Sequence, residues 1–182
     1  MTPHRHFLID ASALAPFFLK KAGRPRAAIA GLLKMRDQGR ANLYVPNFCM
    51  AECSRAFAEM SCREDAASDD SVGVYRGIMD ELVDLVSRRR QGLIRSLELE
   101  RLHLVDIETI YIAYWRSPPR EPEQALSGID GLVLAVAKRL LEEFGRERVR
   151  VVTARAAVAR MCGENPDLLP PAVYTPKDRL PA

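Results

Sequence analysis

Three carboxylates in this sequence occupy positions from which they could act together. Asp10 directly follows a short apolar run, His6 to Ile9, and Asp130 lies in the first turn of a long apolar helix. Glu52 interrupts a helix that is otherwise largely apolar, and a buried carboxylate needs a cation, a partner or water to offset its lost hydration. Oxygen ligands are those that Mg²⁺ and Mn²⁺ prefer. The three acids are therefore candidate metal ligands and candidate catalytic residues.

Each acid also has a purely structural explanation. Asp10 can cap the first helix or close the turn after the strand. Ser127 and Asp130 have the spacing of a capping box, with Asp in place of the usual Glu. Glu52 can pair with Arg55 or with an arginine from a neighbouring helix. The metal hypothesis requires the three carboxyl groups to meet at one edge of a sheet without each being tied to an arginine or a backbone amide.

Apolar periodicity predicts strands that alternate with helices. Short apolar or β-branched runs predict strands at His6 to Ile9, Leu43 to Val45 and Val149 to Val152, with a last edge strand at Ala172 to Thr175. A brief strand is also expected at Leu102 to Val105. Helical spacing predicts helices at about residues 13–19, 25–37, 47–60, 78–90, 93–99, 106–115, 129–144 and 156–161. This alternation indicates a parallel sheet with helices packed on it.

The strand ends locate the expected site. In open parallel sheets, ligands bind beyond the carboxyl ends of the strands, and Asp10 stands at that end of the first strand. Asp130 begins an element that follows a loop, so the separated acids can converge at the same edge. Ser12 and Thr153 are small hydroxyls near strand ends, where turn formation explains them equally well.

Length and composition fit one folded domain. The chain has 182 residues, below the size at which a single core stops growing, and its 48% hydrophobic and 28% charged residues are ordinary globular usage. We expect a single domain over residues 1–182, with extra helical material at about 63–101 and a loose tail at about 176–182. No run of about 20 apolar residues is present, so no membrane span is expected.

Cysteine and arginine usage bear on compartment and partner. The four cysteines form no CxxC pair and no signal peptide is recognisable, which favours reduced thiols in the cytoplasm. Cys49 and Cys53 are expected as small buried hydrophobes rather than as zinc ligands. Of 27 basic residues, 22 are arginine and 5 are lysine, and guanidinium groups suit bidentate phosphate contacts. Because the net charge is only +3 without a basic stripe, arginine-rich codon usage also explains the excess.

Four segments of the chain carry a family pattern. They are FLIDASAL (Phe7 to Leu14), YVPNFCMAEC (Tyr44 to Cys53), SGIDGLVLAVA (Ser127 to Ala137) and VRVVT (Val149 to Thr153). In order and spacing they resemble the PIN-domain family, the nucleases that include the VapC-type toxins of bacterial toxin-antitoxin pairs. The resemblance covers nearly the whole chain. It implies a three-layer α/β sandwich, in which helices flank a central, mostly parallel sheet of about 4–5 strands.

The resemblance also assigns positions. It places Asp10, Glu52 and Asp130 on the family's first three acidic positions, and Ser12 on the hydroxyl that commonly supports the first. The family usually has a fourth acid, or sometimes an amide, one or two residues after the strand-ending threonine, whereas this chain has Ala154 and Arg155 there. This departure removes one ligand and supplies a cation that could hold a substrate phosphate.

The function that the resemblance implies is a metal-dependent ribonuclease. A bound Mg²⁺ or Mn²⁺ would activate a water that attacks phosphorus, with Asp10 as central ligand, Asp130 as second ligand or water-positioning group, and Glu52 as ligand or general base. An RNA substrate, a homodimer and a small inhibitory antitoxin are also implied. The alternative is a PIN-like domain that has lost cleavage and binds RNA or a protein partner.

The turn after the first strand excludes three other classes. Phosphoaspartyl hydrolases need a second acid two residues after the first, where this chain has Ser12. Receiver-type phosphorylation sites need an acidic pair at the end of the strand, but Ile9 precedes Asp10. Dinucleotide-binding and P-loop folds need a glycine-rich phosphate loop, whereas the turn here reads DASA.

Overall fold

The sheet of this protein is entirely parallel. The computed structural model describes residues 4–19, 23–64, 71–86, 92–119 and 121–180. Its strands are β1 (Arg5–Ile9), β2 (Ala41–Pro46), β3 (Arg95–Leu97), β4 (Val149–Thr153) and β5 (Ala172–Tyr174). They form one five-stranded sheet in the order β3-β2-β1-β4-β5, and every neighbouring pair is parallel. The predicted α/β class and parallel sheet are confirmed.

Helices cover both faces of this sheet. The described helices are α1 (Ala11–Phe18), α2 (Arg24–Asp37), α3 (Asn47–Glu64), α4 (Ser71–Val86), α5 (Arg101–Arg116), α6 (Gly128–Phe144) and α7 (Ala156–Glu164), with a 3-10 turn at Pro122–Gln124. Helix α1 contacts α2, α3 and α4, whereas α6 contacts α5 and α7. Because parallel crossovers are right-handed, the helices that lead from β1 out to β3 lie on one face, and those that lead back to β4 and β5 lie on the other.

The central strand β1 determines where a site can form. Phe7, Leu8 and Ile9 are fully buried, as expected for a parallel strand covered on both faces. β1 pairs with β2 on one side and with β4 on the other, so the strand order reverses direction at this point. A crevice opens beyond the carboxyl ends of the strands at such a switch point. Asp10, the first residue after β1, lies at this crevice.

Two elements between α4 and α6 differ from the prediction. Residues 93–99, expected as a short helix, contain strand β3, in which Arg95–Leu97 pair with Tyr44–Pro46 at the edge of the sheet. Leu102 to Val105, expected as a brief strand, lie in the first turns of α5. Three or four residues are too few to distinguish a period of two from one of 3.6, so the hydrogen-bonding partners offered by the rest of the fold decide.

Asp106, at the predicted start of a helix, lies inside α5 and joins it to α6. Its buried carboxylate accepts a hydrogen bond from Lys138 Nζ at 3.0 Å. It also forms an ion pair with Arg139 Nε at 2.5 Å that lacks hydrogen-bond geometry. The Lys138 and Arg139 side chains are only 15% and 32% exposed, so water screens these pairs incompletely. The cluster fixes α5 against the helix that carries Asp130.

Replacing Asp106 by Asn is expected to destabilise the fold by about 2–3 kcal/mol. Breaking a buried ion pair from one side costs about 3–5 kcal/mol, and the partial exposure of Arg139 reduces that cost. Urea unfolding followed by circular dichroism measures the change. Asp80→Asn, at an exposed acid on α4, is the matched control and should change the free energy of unfolding by less than about 0.5 kcal/mol. Equal effects of the two substitutions would contradict the structural role of Asp106.

His6 on β1 gives the fold a pH dependence. Its ring stacks on Phe144 with centroids 3.7 Å apart, and its Nδ1 lies 3.0 Å from the Tyr44 hydroxyl. Burial, reinforced by the charges of His4 and Arg148, lowers the pKa of His6 from its usual 6.5. The folded protein therefore binds fewer protons at His6 than the unfolded chain does. The stability that the neutral ring contributes is complete above pH 6.5 and is lost as the pH falls through the lowered folded-state pKa.

The melting temperature should accordingly fall by a few degrees between about pH 7.5 and about pH 5. His6→Phe keeps an aromatic ring against Phe144 but cannot titrate, so its melting temperature should depend less on pH. Scanning calorimetry of both proteins across this range measures the difference. If the two proteins lose the same number of degrees, His6 is not the source.

The remaining expectations concern the cysteines, the segment after α3 and the tail. Cys49, Cys53 and Cys162 are free and buried, in line with a role as small hydrophobes. The predicted helix end at Arg88 to Arg90 lies outside the described residues. In the tail, Leu180 packs against the core. Among the described helices, none combines the length and apolar character needed to cross a membrane.

Candidate functional site

Side chains from separate segments of the chain line one cavity of about 560 Å³ at the switch point of the sheet. Asp10 and Ser12 come from the turn after β1 and the start of α1, and Glu52 comes from α3. Asp130 comes from the first turn of α6, and Arg155 follows β4. The structure thus brings all five residues predicted from the sequence to the same cavity.

Asp10 is buried and is held by three donors. Its carboxylate accepts hydrogen bonds from the Ser12 hydroxyl at 2.7 Å, the Thr153 hydroxyl at 2.6 Å and the Ala13 N–H at 3.0 Å. The bond from Ala13 caps α1, so the structural explanation of Asp10 is present. Burial raises the pKa of Asp10 against the lowering effect of these hydrogen bonds, and the charge of Asp130 raises it further. Ionising Asp10 is therefore costly, and a cation close to its carboxylate would offset that cost.

Ser12 and Thr153 tie the end of β1 to the end of β4. The Ser12 hydroxyl donates to Asp10 and accepts from the Ala154 N–H at 2.8 Å. The Thr153 hydroxyl donates to Asp10 and accepts from the Arg155 N–H at 2.9 Å. Thr153 is fully buried and holds Asp10 as closely as Ser12 does, although sequence reasoning left it as a turn former. The contact between Thr153 and Asp10 follows from the pairing of β1 with β4, because these parallel strands are adjacent and both lead into polar residues.

Glu52 differs from the other two acids in its contacts. Within the described part of the chain, its carboxylate forms no hydrogen bond or ion pair. Arg55 pairs with Glu59, one turn along α3, at 2.5 Å, so the expected pair with Glu52 does not form. Burial raises the pKa of Glu52, and the charges of Asp10 and Asp130 raise it further, while two nearby arginines offset the rise in part. Glu52 is therefore free to bind a cation or to accept a proton.

Asp130 already has a cation. Arg155 donates from Nε to Oδ1 at 3.2 Å and from Nη2 to Oδ2 at 3.0 Å. The Ser127 N–H and hydroxyl donate to Oδ2 at 3.0 and 2.7 Å, and the Ser127 Oγ accepts from the Asp130 N–H at 3.1 Å. The capping box expected from the sequence is present. The requirement that no acid be tied to an arginine or a backbone amide is met at Glu52 within the described residues. It is not met at Asp10, which accepts from the Ala13 N–H, or at Asp130, which accepts from Arg155 and from the Ser127 N–H.

Tyr111 packs beside Asp130 and was not singled out from the sequence. A Cβ atom added at Gly131 would lie 3.2 Å from Tyr111 Cε2, so the glycine allows α5 to approach α6 closely here. Burial, and then the charge of Asp130, raise the pKa of Tyr111. A tyrosine inside a helix is usually a packing residue, and only the helix pairing reveals that this one neighbours an acid.

The chemistry of the donor set fits a hard divalent cation. Three carboxylates line the cavity together with the guanidinium groups of Arg55 and Arg155, and 3 negative and 2 positive charges leave −1. A divalent ion would change this to +1, which favours a phosphate. Among the described residues, however, no three Asp, Glu, His or Cys side chains form a group ready to hold a metal ion.

The hydrogen bonds that the three carboxylates already accept limit how they can bind a metal ion. An ionised carboxylate has roughly four lone-pair sites. Asp10 accepts three hydrogen bonds, whereas Asp130 accepts three at Oδ2 and one at Oδ1, and one bond at each oxygen comes from Arg155. Glu52 accepts none within the described residues. Asp130 Oδ1 thus keeps room for one further partner, but a cation bound there would meet the like charge of Arg155 at the same carboxylate.

No protein-family model matches this chain, and no curated protein matches it at a significant level. Membership of the PIN-domain family stays a prediction, which rests on the sequence motifs and on the position of the acids in a parallel sheet.

Proposed function

We propose that this protein is a metal-dependent ribonuclease of the PIN type that hydrolyses phosphodiester bonds in RNA. One observation carries the proposal: Asp10, Glu52 and Asp130, from segments far apart in the sequence, line one cavity. Grouped carboxylates raise one another's cost of ionisation, and the pKa values of Asp10 and Glu52 are raised for this reason in addition to burial. Acids with raised pKa values that share a cavity are more typical of a functional site than of a purely structural role.

The residues of the cavity suggest a division of labour. When bound, Mg²⁺ or Mn²⁺ would polarise the phosphate and make a water more acidic. Asp10 and Asp130 would hold the ion, while Glu52 takes a proton from the attacking water. A bond forms from the water oxygen to phosphorus, and the bond from phosphorus to the leaving oxygen breaks. The leaving oxygen then takes up a proton from solvent.

The arginines of the cavity support a polyanionic substrate. The side chains of Arg55 and Arg155 are 70% and 48% exposed, so both can reach a phosphate group. Single-stranded RNA is the substrate class we propose, because its backbone can follow an open cavity. The homodimer, the inhibitory antitoxin and a cytoplasmic location remain predictions of the family resemblance.

A purified sample and a labelled single-stranded RNA test the proposal. We expect cleavage in Mg²⁺ or Mn²⁺ and none in EDTA, because the carboxylates alone cannot polarise a phosphate. A double-stranded RNA of the same sequence serves as the comparison substrate. Cleavage that persists undiminished in EDTA would contradict the metal mechanism, and intact RNA under every condition would contradict the ribonuclease assignment.

The ion pair between Arg155 and Asp130 favours a second candidate function. A guanidinium that permanently neutralises Asp130 would replace a metal ion structurally, and the domain would then bind RNA or a protein partner without cleaving. Calorimetric titration with Mn²⁺ separates the two candidates. RNA binding without any Mn²⁺ binding would support the non-catalytic domain.

A further inference from the structure

Arg155 is anchored by its backbone while its side chain is exposed. Its N–H donates to the Thr153 hydroxyl at 2.9 Å, and that hydroxyl also donates to Asp10. The Arg155 side chain is 48% exposed, whereas the Asp130 side chain that it contacts is 7% exposed. The guanidinium can therefore leave the carboxylate for solvent without disturbing the core. The contact is exchangeable, unlike the ion pairs of Asp106.

The guanidinium also lies within the field of all three acids. Its principal partner is Asp130, and the charges of Asp10 and Glu52 act on it as well. A single positive charge thus occupies the region where a divalent cation would be most strongly attracted. Two cations in this region would repel one another, so the guanidinium and a metal ion compete for the same carboxylates.

We propose that Arg155 is the resident counter-ion of Asp130, which a divalent cation displaces, and that the released guanidinium then binds a phosphate of the RNA. This inference rests on the proposed function, because it concerns the same cavity. Competition for the carboxylate favours the exchange: both Asp130 oxygens accept from Arg155, so a cation that binds this carboxylate meets the guanidinium there. Ser127 holds the Asp130 carboxylate in place throughout, since its two bonds to Oδ2 do not involve Arg155.

The exchange gives Arg155 opposite effects on two ligands. Arg155→Ala frees Asp130, so the affinity for Mn²⁺ should rise about tenfold, the size expected for removing a partly exposed charged hydrogen-bonded pair. The same substitution removes a phosphate ligand, so the affinity for single-stranded RNA in the presence of Mn²⁺ should fall about tenfold. A side chain with only a structural role would lower both affinities or neither.

Calorimetry with Mn²⁺ alone measures the first effect. Fluorescence anisotropy with a labelled phosphorothioate RNA, which resists hydrolysis, measures the second. Arg76→Ala is the matched control: it removes the same charge from an exposed position of α4 that does not line the cavity. Its Mn²⁺ affinity should change by less than about twofold. Arg155→Gln is the second variant should the alanine variant not fold, as judged by thermal melting.

The outcomes also separate this inference from the proposed function. An Mn²⁺ affinity that is unchanged or lowered in both Arg155 variants overturns the inference, even if the wild type binds metal and cleaves RNA. Metal binding that appears only in the Arg155 variants overturns the proposed function of the wild-type protein, and it overturns the inference as well, because no cation then displaces Arg155. Absence of Mn²⁺ binding in the wild type and in every variant overturns both.

Discussion

Asp10→Asn is expected to lower the rate of RNA cleavage by about a thousandfold or more. Asparagine has nearly the same shape, and its side-chain oxygen can still accept from Ser12 and Ala13, so the turn after β1 should keep its structure. The substitution removes the negative charge that attracts the cation. Single-turnover cleavage of a labelled single-stranded RNA in Mn²⁺ measures the effect.

Asp37→Asn is the matched control for this loss of activity. Asp37 is an exposed acid at the end of α2, so the substitution changes the charge of the protein equally while leaving the cavity intact. Its cleavage rate should stay within about twofold of the wild-type rate. Equal cleavage by the wild type and Asp10→Asn would remove Asp10 from the mechanism.

Asp10→Asn should have opposite effects on the stability of the protein without and with a bound metal ion. Burial raises the pKa of Asp10, so its contribution to stability is present at low pH and is lost as the pH rises through the folded-state value. Ionising Asp10 therefore costs stability in the metal-free protein, and Asp10→Asn, which cannot ionise, should raise the melting temperature of the metal-free protein by about 2–4 °C.

Metal reverses the order of the two proteins. Binding of Mn²⁺ at about one hundred times its dissociation constant adds about 2.7 kcal/mol to the stability of a protein that binds it. The wild type gains this stabilisation and the Asp10→Asn variant does not, so the wild type should melt at the higher temperature. Scanning calorimetry with and without Mn²⁺ measures both differences. Identical shifts in the two proteins would show that Mn²⁺ acts elsewhere.

The parts of the fold that were predictable carry long or repeated signals. The apolar run of β1, the β-branched run of β4 and the wide apolar face of α6 each fix an element by themselves. Once β1 and β4 are adjacent and parallel, Asp10 and Arg155 must lie near one another at their carboxyl ends. Strand β3 and the start of α5 lacked such signals, because an edge strand of three residues is defined by its neighbour β2.

The sequence predicted which residues line the candidate site, but not which of their side chains bind one another. An acid inside an apolar helix, such as Glu52, is visible in the sequence because its burial is costly. The bond between Arg155 and Asp130 depends on the direction of two side chains from elements that are not adjacent in the chain. Spacing along the chain does not determine that direction. The residues of the site could therefore be predicted, whereas the bond between Arg155 and Asp130 could not.

Capping and metal binding are compatible explanations for two of the acids. Asp10 caps α1 through the Ala13 N–H and keeps one acceptor site for another partner. Asp130 completes a capping box with Ser127 through Oδ2, and Arg155 is the other donor to its carboxylate among the described residues. The helix caps thus orient the carboxylates, and such pre-oriented groups are what a catalytic cavity requires.

Anomalous diffraction from crystals soaked in Mn²⁺ would show whether a divalent cation binds at the carboxylates of the cavity. We expect an Mn²⁺ peak in the cavity beyond the carboxyl ends of β1 and β4, bound by carboxylate oxygens of Asp10 and Asp130 with Glu52 beside it, and with Arg155 no longer paired to Asp130. A cavity without Mn²⁺ at saturating concentration, in which Arg155 still holds Asp130, would contradict this expectation.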